Sequence, residues 1–365
     1  MTPLGRWSVV ALGVLLVVGT PVAVAAWPTP DSDVSAAELL AEVTAAEDHP
    51  WSGYVETQGS LQLPVQDDFA DVGALLSGHT RLRVWWRSAD DWRVDQLETA
   101  GESDLVHQDP YTTEWSYEAE RARVSRDPDI RLPRTADLLP PVLAARVLDD
   151  VDARDVSRLP AQRVAGVAAP GLRVRPAQPQ SSIDHVDLWA DPDSGVALRV
   201  EVYGAGSGAA AFTTEMRDFS AATPAASRTA FEPPVGTHVS YDDVLDIADA
   251  ANQYAPLRPP DRVGGLAMAS ASQGAVGVYG AGLAQLIAIP LRHQEADPLR
   301  EQLGNSPDAA QVDEGVLVAA GPLGVLVTGQ DGDGGWLVTG TVTAATLRAA
   351  ARDLVAHTTY YEDDE

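Results

Sequence analysis

The 365-residue chain has a formal charge of −28 and no cysteine, which excludes disulfides, thiol nucleophiles, Cys-based metal sites and a lipid-modified Cys anchor. All 25 basic residues are arginine, so Schiff-base chemistry, Ser-Lys catalysis and a P-loop, each of which needs a lysine, are excluded as well. The acidic balance also opposes binding to nucleic acid and broad contact with an anionic membrane surface.

The length exceeds what one core supports, so two domains are expected. Arg6 precedes about twenty uncharged residues, Trp7 to Ala26, enough to cross a ~30 Å hydrocarbon core. Ala23-Val24-Ala25 fits a secretory cleavage site, and the length of the run fits an uncleaved anchor. Residues 1–30 are therefore expected to be a signal peptide or membrane anchor. Arg6 on one flank and Asp31 and Asp33 on the other place the rest outside the cytoplasm.

Ser32 to Ala46 reads as a short helix capped by Asp33 or Ser35. A long strand follows from Trp51 to Pro64, then a loop from Asp67 to Gly78 whose Phe69, Val72, Leu75 and Leu76 could fold back as a lid. From Thr80 to Ser125 the β-branched and aromatic runs, cut by Ala-Asp-Asp, Gly-Glu-Ser, Gln-Asp-Pro and Glu-Ala-Glu, predict a series of antiparallel hairpins. In the first, Leu82, Val84 and Trp86 share one face and Arg81, Arg83, Trp85 and Arg87 the other, the alternation of a sheet with one apolar side.

Asp137 to Leu148 changes to a helical period, entered through Pro140-Pro141, and its apolar circumference needs cover on more than one side. Strands resume over 158–164, 171–175, 183–191, 195–203 and 210–219, and the sheet is expected to end with Phe231-Glu232-Pro233-Pro234. Ser240 is read as the cap of a helix from Tyr241 to Tyr254. Short strands follow over 276–279, 284–290, 315–320, 324–328 and 336–341, and a closing helix from Thr343 to Val355. The expected division is a first domain over 31–237, a small α+β domain over 238–357 and an acidic tail over 358–365.

Trp51-Ser52-Gly53-Tyr54-Val55, the Leu82 to Trp85 and Trp92 to Asp95 strand pair, Thr113 to Tyr117, and Val186 to Val200 together resemble the lipoprotein-carrier fold shared by LolA, the actinobacterial lipid carriers and the sigma-factor regulator RseB. The resemblance covers residues 36 to 235 and is a rhythm of strands, without a catalytic signature. It implies a mainly β, α+β chain: a half-open antiparallel β-barrel with plug helices on its concave side, followed by a smaller α+β domain. It also implies a hydrophobic cavity for an acyl chain, lipid or lipopeptide. The candidate cavity residues are Leu82, Val84, Trp86, Val94, Trp115, Tyr117, Leu188, Val196, Leu198 and Val200 from the strands, with Leu139, Val142 and Leu143 from the plug helix. The alternative for the same side chains is a closed core.

Sequestering ~14 methylenes at ~0.8 kcal/mol each gives about 11 kcal/mol gross, which association costs of ~4 to 15 kcal/mol reduce to a reversible affinity. No cofactor or metal is expected. The histidines, from His49 to His357, are scattered, and the Asp191-Pro192-Asp193-Ser194-Gly195 start of a calcium-like loop has Val202 where a bidentate Glu belongs. Gly204-Ala205-Gly206-Ser207-Gly208 lies between strands rather than before a crossover helix, no Gly-x-Ser-x-Gly elbow exists, and Asp90-Asp91 and Asp242-Asp243 sit in turn or helix-start contexts. The expected function is a non-enzymatic, extracytoplasmic lipid or acyl-chain carrier. The alternative is an RseB-like sensor whose second domain holds a membrane anti-sigma factor, and an envelope transporter is a further expected partner.

Overall fold

The computed structural model describes residues 29–61, 70–99, 101–128, 130–241, 244 and 246–360. The expected signal or anchor run, the first part of the lid loop with Phe69, the Asp242-Asp243 pair and the Glu362–Glu365 tail lie outside them. Among the described residues no helix is long and apolar enough to cross a membrane.

The first part of the chain runs α1 (Ala36–Ala45), β1 (Trp51–Gly59), α2 (Ala70–Ser77), β2 (His79–Ser88), β3 (Asp91–Leu97), β4 (Glu102–Gln108), β5 (Tyr111–Ser116), β6 (Arg121–Arg126), α3 (Pro140–Leu148), β7 (Val156–Val164), β8 (Val167–Val174), β9 (Ile183–Ala190), β10 (Ala197–Gly204), β11 (Phe212–Ser220), the single turn α4 (Ala226–Thr229) and β12 (His238–Tyr241). These strands form one 12-stranded sheet in the order β12-β6-β5-β4-β3-β2-β1-β11-β10-β9-β8-β7. Neighbours are antiparallel except β12, which runs parallel to β6. The sheet is open, with β12 and β7 as its edges, and it is curved: β7 approaches β11 although three strands lie between them. Register shifts at Tyr54/Val55 in β1 and at Leu159/Gln162 in β7 supply the local bends.

The apolar side follows from the pleat. Val55 lies opposite Leu82, Gly53 opposite Val84 and Trp51 opposite Trp86, while Val84 and Trp86 face Val94 and Trp92 on the next strand. Met216 and Leu198 extend the same cluster through β11 and β10. Two helices cover this side. Ser35 and Glu38 close a reciprocal capping box on α1, satisfying donors that a helix start leaves free. Its Leu39, Leu40 and Val43 then pack with Ala144, Val147 and Leu148 of α3 onto Leu172, Val186, Leu188 and Val200. The expected lid is helical: α2 docks against the end of β1, where a Cβ on Gly59 would stand 1.8 Å from the Leu76 carbonyl oxygen, a contact that glycine alone allows.

Beyond the large sheet come α5 (Ile247–Asn252), β13 (Leu257–Arg258), β14 (Arg262–Val263), β15 (Leu266–Ala267), β16 (Gly277–Ala281), β17 (Ala284–Leu291), α6 (His293–Gly304), β18 (Ala309–Val312), β19 (Gly315–Ala320), β20 (Leu323–Thr328), β21 (Gly335–Gly340), α7 (Ala344–His357) and β22 (Thr359–Tyr360). An antiparallel 6-stranded sheet, β16-β17-β21-β20-β19-β18, carries α7 and α6. Two expectations change here. The large sheet does not end at Pro234, because 238–241 adds a strand to β6. The helix expected from Tyr241 starts at Ile247 instead, with Asp246 rather than Ser240 accepting from its first amides.

The two sheets are joined by more than the connecting chain. Leu283, on the turn between β16 and β17, is 4% exposed and belongs to the core formed by α1, α3 and β8 to β10. Ser181 Oγ donates to the Leu283 carbonyl at 2.6 Å, and Thr343 N donates to the Gln180 carbonyl at 2.8 Å. Leu283→Ala should therefore cost about 2–5 kcal/mol, the range for a buried leucine. Faster limited proteolysis between residues 221 and 262 should accompany the loss. A urea midpoint equal to that of the parent chain would show that the two sheets are not coupled through this side chain.

Candidate functional site

The cover over the apolar side is incomplete at one end. A cleft of about 530 Å³ opens there, between the last turn of α1, the length of α3 and the sheet at Trp86, Ala89 and Ala197. Its volume falls in the range of about 300–1,000 Å³ typical of small-molecule sites. Val43, Ala46, Trp86, Val142, Ala144 and Leu148 supply an apolar wall, whereas Glu47, Asp48, Arg146, Asp149 and Asp150 stand at its rim. Small side chains line it: Ala46, Ala144 and Ala197 are packed in the core around it, and half-buried Ala145 faces it with a methyl alone.

Trp86 is held in a row of rings that crosses four strands. Trp51 and Trp86 stack with centroids 6.5 Å apart, Trp86 and Trp92 at 5.6 Å, and Trp92 and the His107 imidazole at 5.3 Å. Each pair is directly cross-strand, the arrangement in which aromatic side chains gain most from one another. His107 Nδ1 meets Thr112 Oγ1 at 2.8 Å, and that hydroxyl donates to Asp127 at 3.1 Å. The half-buried indole of Trp86 is thus fixed in orientation while it borders the cleft.

Arg146 is fixed too. Its guanidinium donates to Asp137 at 2.7 Å, and Asp137 also accepts from Arg131 at 2.7 and 3.1 Å and from the Arg134 backbone amide at 2.7 Å. Burial works against ionising Asp137, but the Arg131 hydrogen bonds and charge, with Arg146, outweigh it and hold the carboxyl below its ordinary range. The charge of Arg146 is therefore already engaged at the 3₁₀ turn Thr135–Leu138 that precedes α3.

Of the thirteen expected cavity residues, Trp86 and Val142 border the cleft. Leu82, Val84, Val94, Leu139, Leu188, Val196, Leu198 and Val200 are buried against the chain itself, and Leu143 packs toward Leu75, Leu138 and Phe212. Trp115 and Tyr117 lie on the other side of the sheet. Val94 faces Leu105 and Leu105 faces Glu114, so the next residue, Trp115, points outward to meet Phe231 at 5.8 Å, and Tyr117 is 53% exposed. A one-residue step in register exchanges the two faces, and the spacing of aromatic residues along the chain does not show that step. Val43 of α1, Ala46 just after it and the acids at the rim were not expected at a cavity. The run of alanines in α3 was the available signal.

On the outward side Asp95, Glu102 and Asp104 bring carboxylate oxygens within 4.8 Å of one another, the one such group among the described residues. Arg93 already bridges two of them, at 2.5 Å to Asp95 and 2.7 Å to Asp104. Burial first, and then the neighbouring Asp95 carboxylate, push Asp104 up to about 7. The arrangement suits an arginine set between two carboxylates, with Asp104 inclined to keep its proton.

No family model matches the chain, and none of the curated proteins does. Solved structures resemble it. The Pseudomonas aeruginosa MucA/MucB complex overlaps with a TM-score of 0.49 and 18% identity over 90% of this chain and 99% of that one. A crystal structure of MucB overlaps at 0.45 with 15% identity over 89% and 98%, and the LolA superfamily protein NE2245 from Nitrosomonas europaea at 0.23 with 11% identity over 51% and 92%. Overlaps and identities of this size are a likeness of fold, and activity and partners have to be argued from this chain's own residues.

The Asp104 proton has a measurable consequence. An unfolded Asp104 releases its proton near the ordinary 3.8, whereas the folded chain keeps it to about 7. Folding therefore takes up a proton between those values, so the stabilisation is complete below about pH 4 and is lost as pH rises through about 7. Urea melts at about pH 5 and pH 8 should show this fall in the parent chain, and Asp104→Asn should flatten it. An unchanged slope in the variant would assign the effect to another group.

Proposed function

We propose that the chain is an extracytoplasmic binding protein that shields an acyl chain in the cleft between α1 and α3, with no catalytic step. The observation that carries this reading is the cleft itself: a space of about 530 Å³ with an apolar wall, left open between the two helices and the curved sheet. A closed core of the same residues would have no such space. Burial of methylenes at ~0.8 kcal/mol each drives occupancy, and a rigid wall that needs no reordering keeps the association cost low. The polar groups at the rim are carboxylates, a threonine hydroxyl and an arginine held by Asp137. Such a set is suited to orienting a head group.

A second reading, engagement of the extracytoplasmic segment of a membrane protein such as an anti-sigma factor, draws on a different surface. The edge strand β12 and the residues before it expose Val235, Val239 and Tyr241, and an exposed edge can accept a further strand. Val239→Lys combined with Tyr241→Arg should then abolish capture of such a segment by the chain while leaving acyl binding intact. Capture at parental strength would remove this surface from consideration.

For the cleft, a fatty chain brominated near its end should quench tryptophan emission, because Trp86 borders the bound chain. Trp86→Phe should remove most of that quenching although other tryptophans remain, and Ala145→Trp, which fills the space from α3, should weaken binding by about tenfold or more. Quenching that persists in Trp86→Phe, or an affinity untouched by Ala145→Trp, would place the ligand elsewhere.

A further inference from the structure

Resting on the cleft as the ligand site, we infer that its occupant is a single-chain amphiphile whose head group is an ammonium, and that anionic lipids are selected against. Both helices that border the cleft end at its rim. Glu47 and Asp48 follow the last turn of α1, and Asp149 and Asp150 follow the last turn of α3. A helix C-terminus already presents the negative end of the backbone dipole, where lysine, arginine or histidine is the stabilising choice. Here each end is followed by two carboxylates instead, and α1 has no basic residue in its last turn.

The basic residue in the last turn of α3 is Arg146, which bonds to Asp137 at 2.7 Å. Among the described residues none of Glu47, Asp48, Asp149 and Asp150 forms an ion pair. Two negative helix ends and four uncompensated carboxylates therefore surround the mouth of an apolar cleft. Local stability gains nothing from that arrangement, because the same positions filled with arginine would complement the dipoles.

The charge complement is a compact cation held at the rim with its tail over Val43, Trp86, Val142 and Leu148. A carboxylate, sulfate or phosphate at that point would meet like charge at short range. An ammonium would be attracted by the four carboxylates and opposed by Arg146, which shares the single charge of Asp137 with Arg131.

The test uses three ligands with one twelve-carbon tail: dodecylammonium, dodecanol and laurate. Each is titrated below its aggregation threshold into the full-length chain at neutral pH, with tryptophan emission or heat as the readout. The expected order is ammonium, alcohol, laurate, with the ammonium about tenfold tighter than the alcohol, the combined effect of several partly solvated charges. High salt should compress the difference. Glu47→Gln combined with Asp149→Asn should weaken dodecylammonium binding toward that of dodecanol and leave dodecanol unchanged.

The same pair of substitutions should raise the melting temperature, since it removes charge from two negative helix ends. A lowered melting temperature would mean that these carboxylates serve the fold. Laurate binding as tightly as dodecylammonium, or a preference that survives the double substitution, would overturn the head-group assignment while the cleft remains the acyl site. If none of the three ligands binds, the cleft reading fails and this inference fails with it.

Discussion

A sheet with one apolar side must have that side covered, and in this chain the two covering helices leave a gap against the sheet. The inner row from Val55 and Leu82 through Val84 and Val94 is sealed, and the curl that brings β7 toward β11 closes much of the rest. At Trp86 and Ala197 the helical cover is alanine-rich and leaves the cleft open. The acyl-binding reading depends on that incomplete cover of the apolar face. Had Ala145 been a leucine, its side chain would occupy part of that space.

The small sheet takes part in the same covering. Leu283 enters the α1–α3 core from a turn of the second sheet, and Ile130, just beyond β6, packs with Ala248, Ala251 and Val276. Backbone bonds from Ser182 and Thr343 tie the segments between these contacts. The interface therefore bears on the helix that forms the longest wall of the cleft, and a change in how the sheets meet would be felt by α3. The outward side of the large sheet is held differently. Arg199 bonds to Glu201 and Glu215, Arg217 bonds to Glu56 and Glu215, and Arg173 bonds to Asp187. Arg228 on the turn α4 lies over the Trp85 ring at 5.7 Å. Arginine suits these ladders because its planar fork spans two carboxylates at once.

Strand rhythm was legible where one side of the strand is buried. Leu82, Val84 and Trp86 alternate with arginines, and the structure puts them on the covered side in register with β1 and β3. The closing helix was legible for a similar reason: Thr343 caps it, and Leu347, Ala350, Ala351 and Leu354 recur on one face. Helix α6 was not, because it includes Pro298 and buries Ala296, Arg300 and Leu303 with charged residues all around them. Arg300 is buried by bonding to the Thr328 and Asp333 carbonyls, partners more than twenty positions away that no local pattern contains. Strand β12 escaped the sequence reading as well, since its four residues alternate weakly and its partner β6 is over a hundred residues earlier.

The sequence by itself determined the mainly antiparallel β character, the apolar side of the central strands, the helix over them and a second α+β unit, because pleat, helical period, caps and turns are set by neighbours a few positions apart. It also set the acidic balance and the absence of thiol and lysine chemistry. Tertiary structure alone decided which apolar side chains are spent on one another and which border open space, for that depends on how far two helices extend over a curved sheet. It likewise decided that Trp115 faces outward, that Leu283 crosses from one sheet to the core of the other, and that two acidic helix ends meet at one opening. Proximity between segments about a hundred residues apart is a property of the closed fold, and no local pattern encodes it.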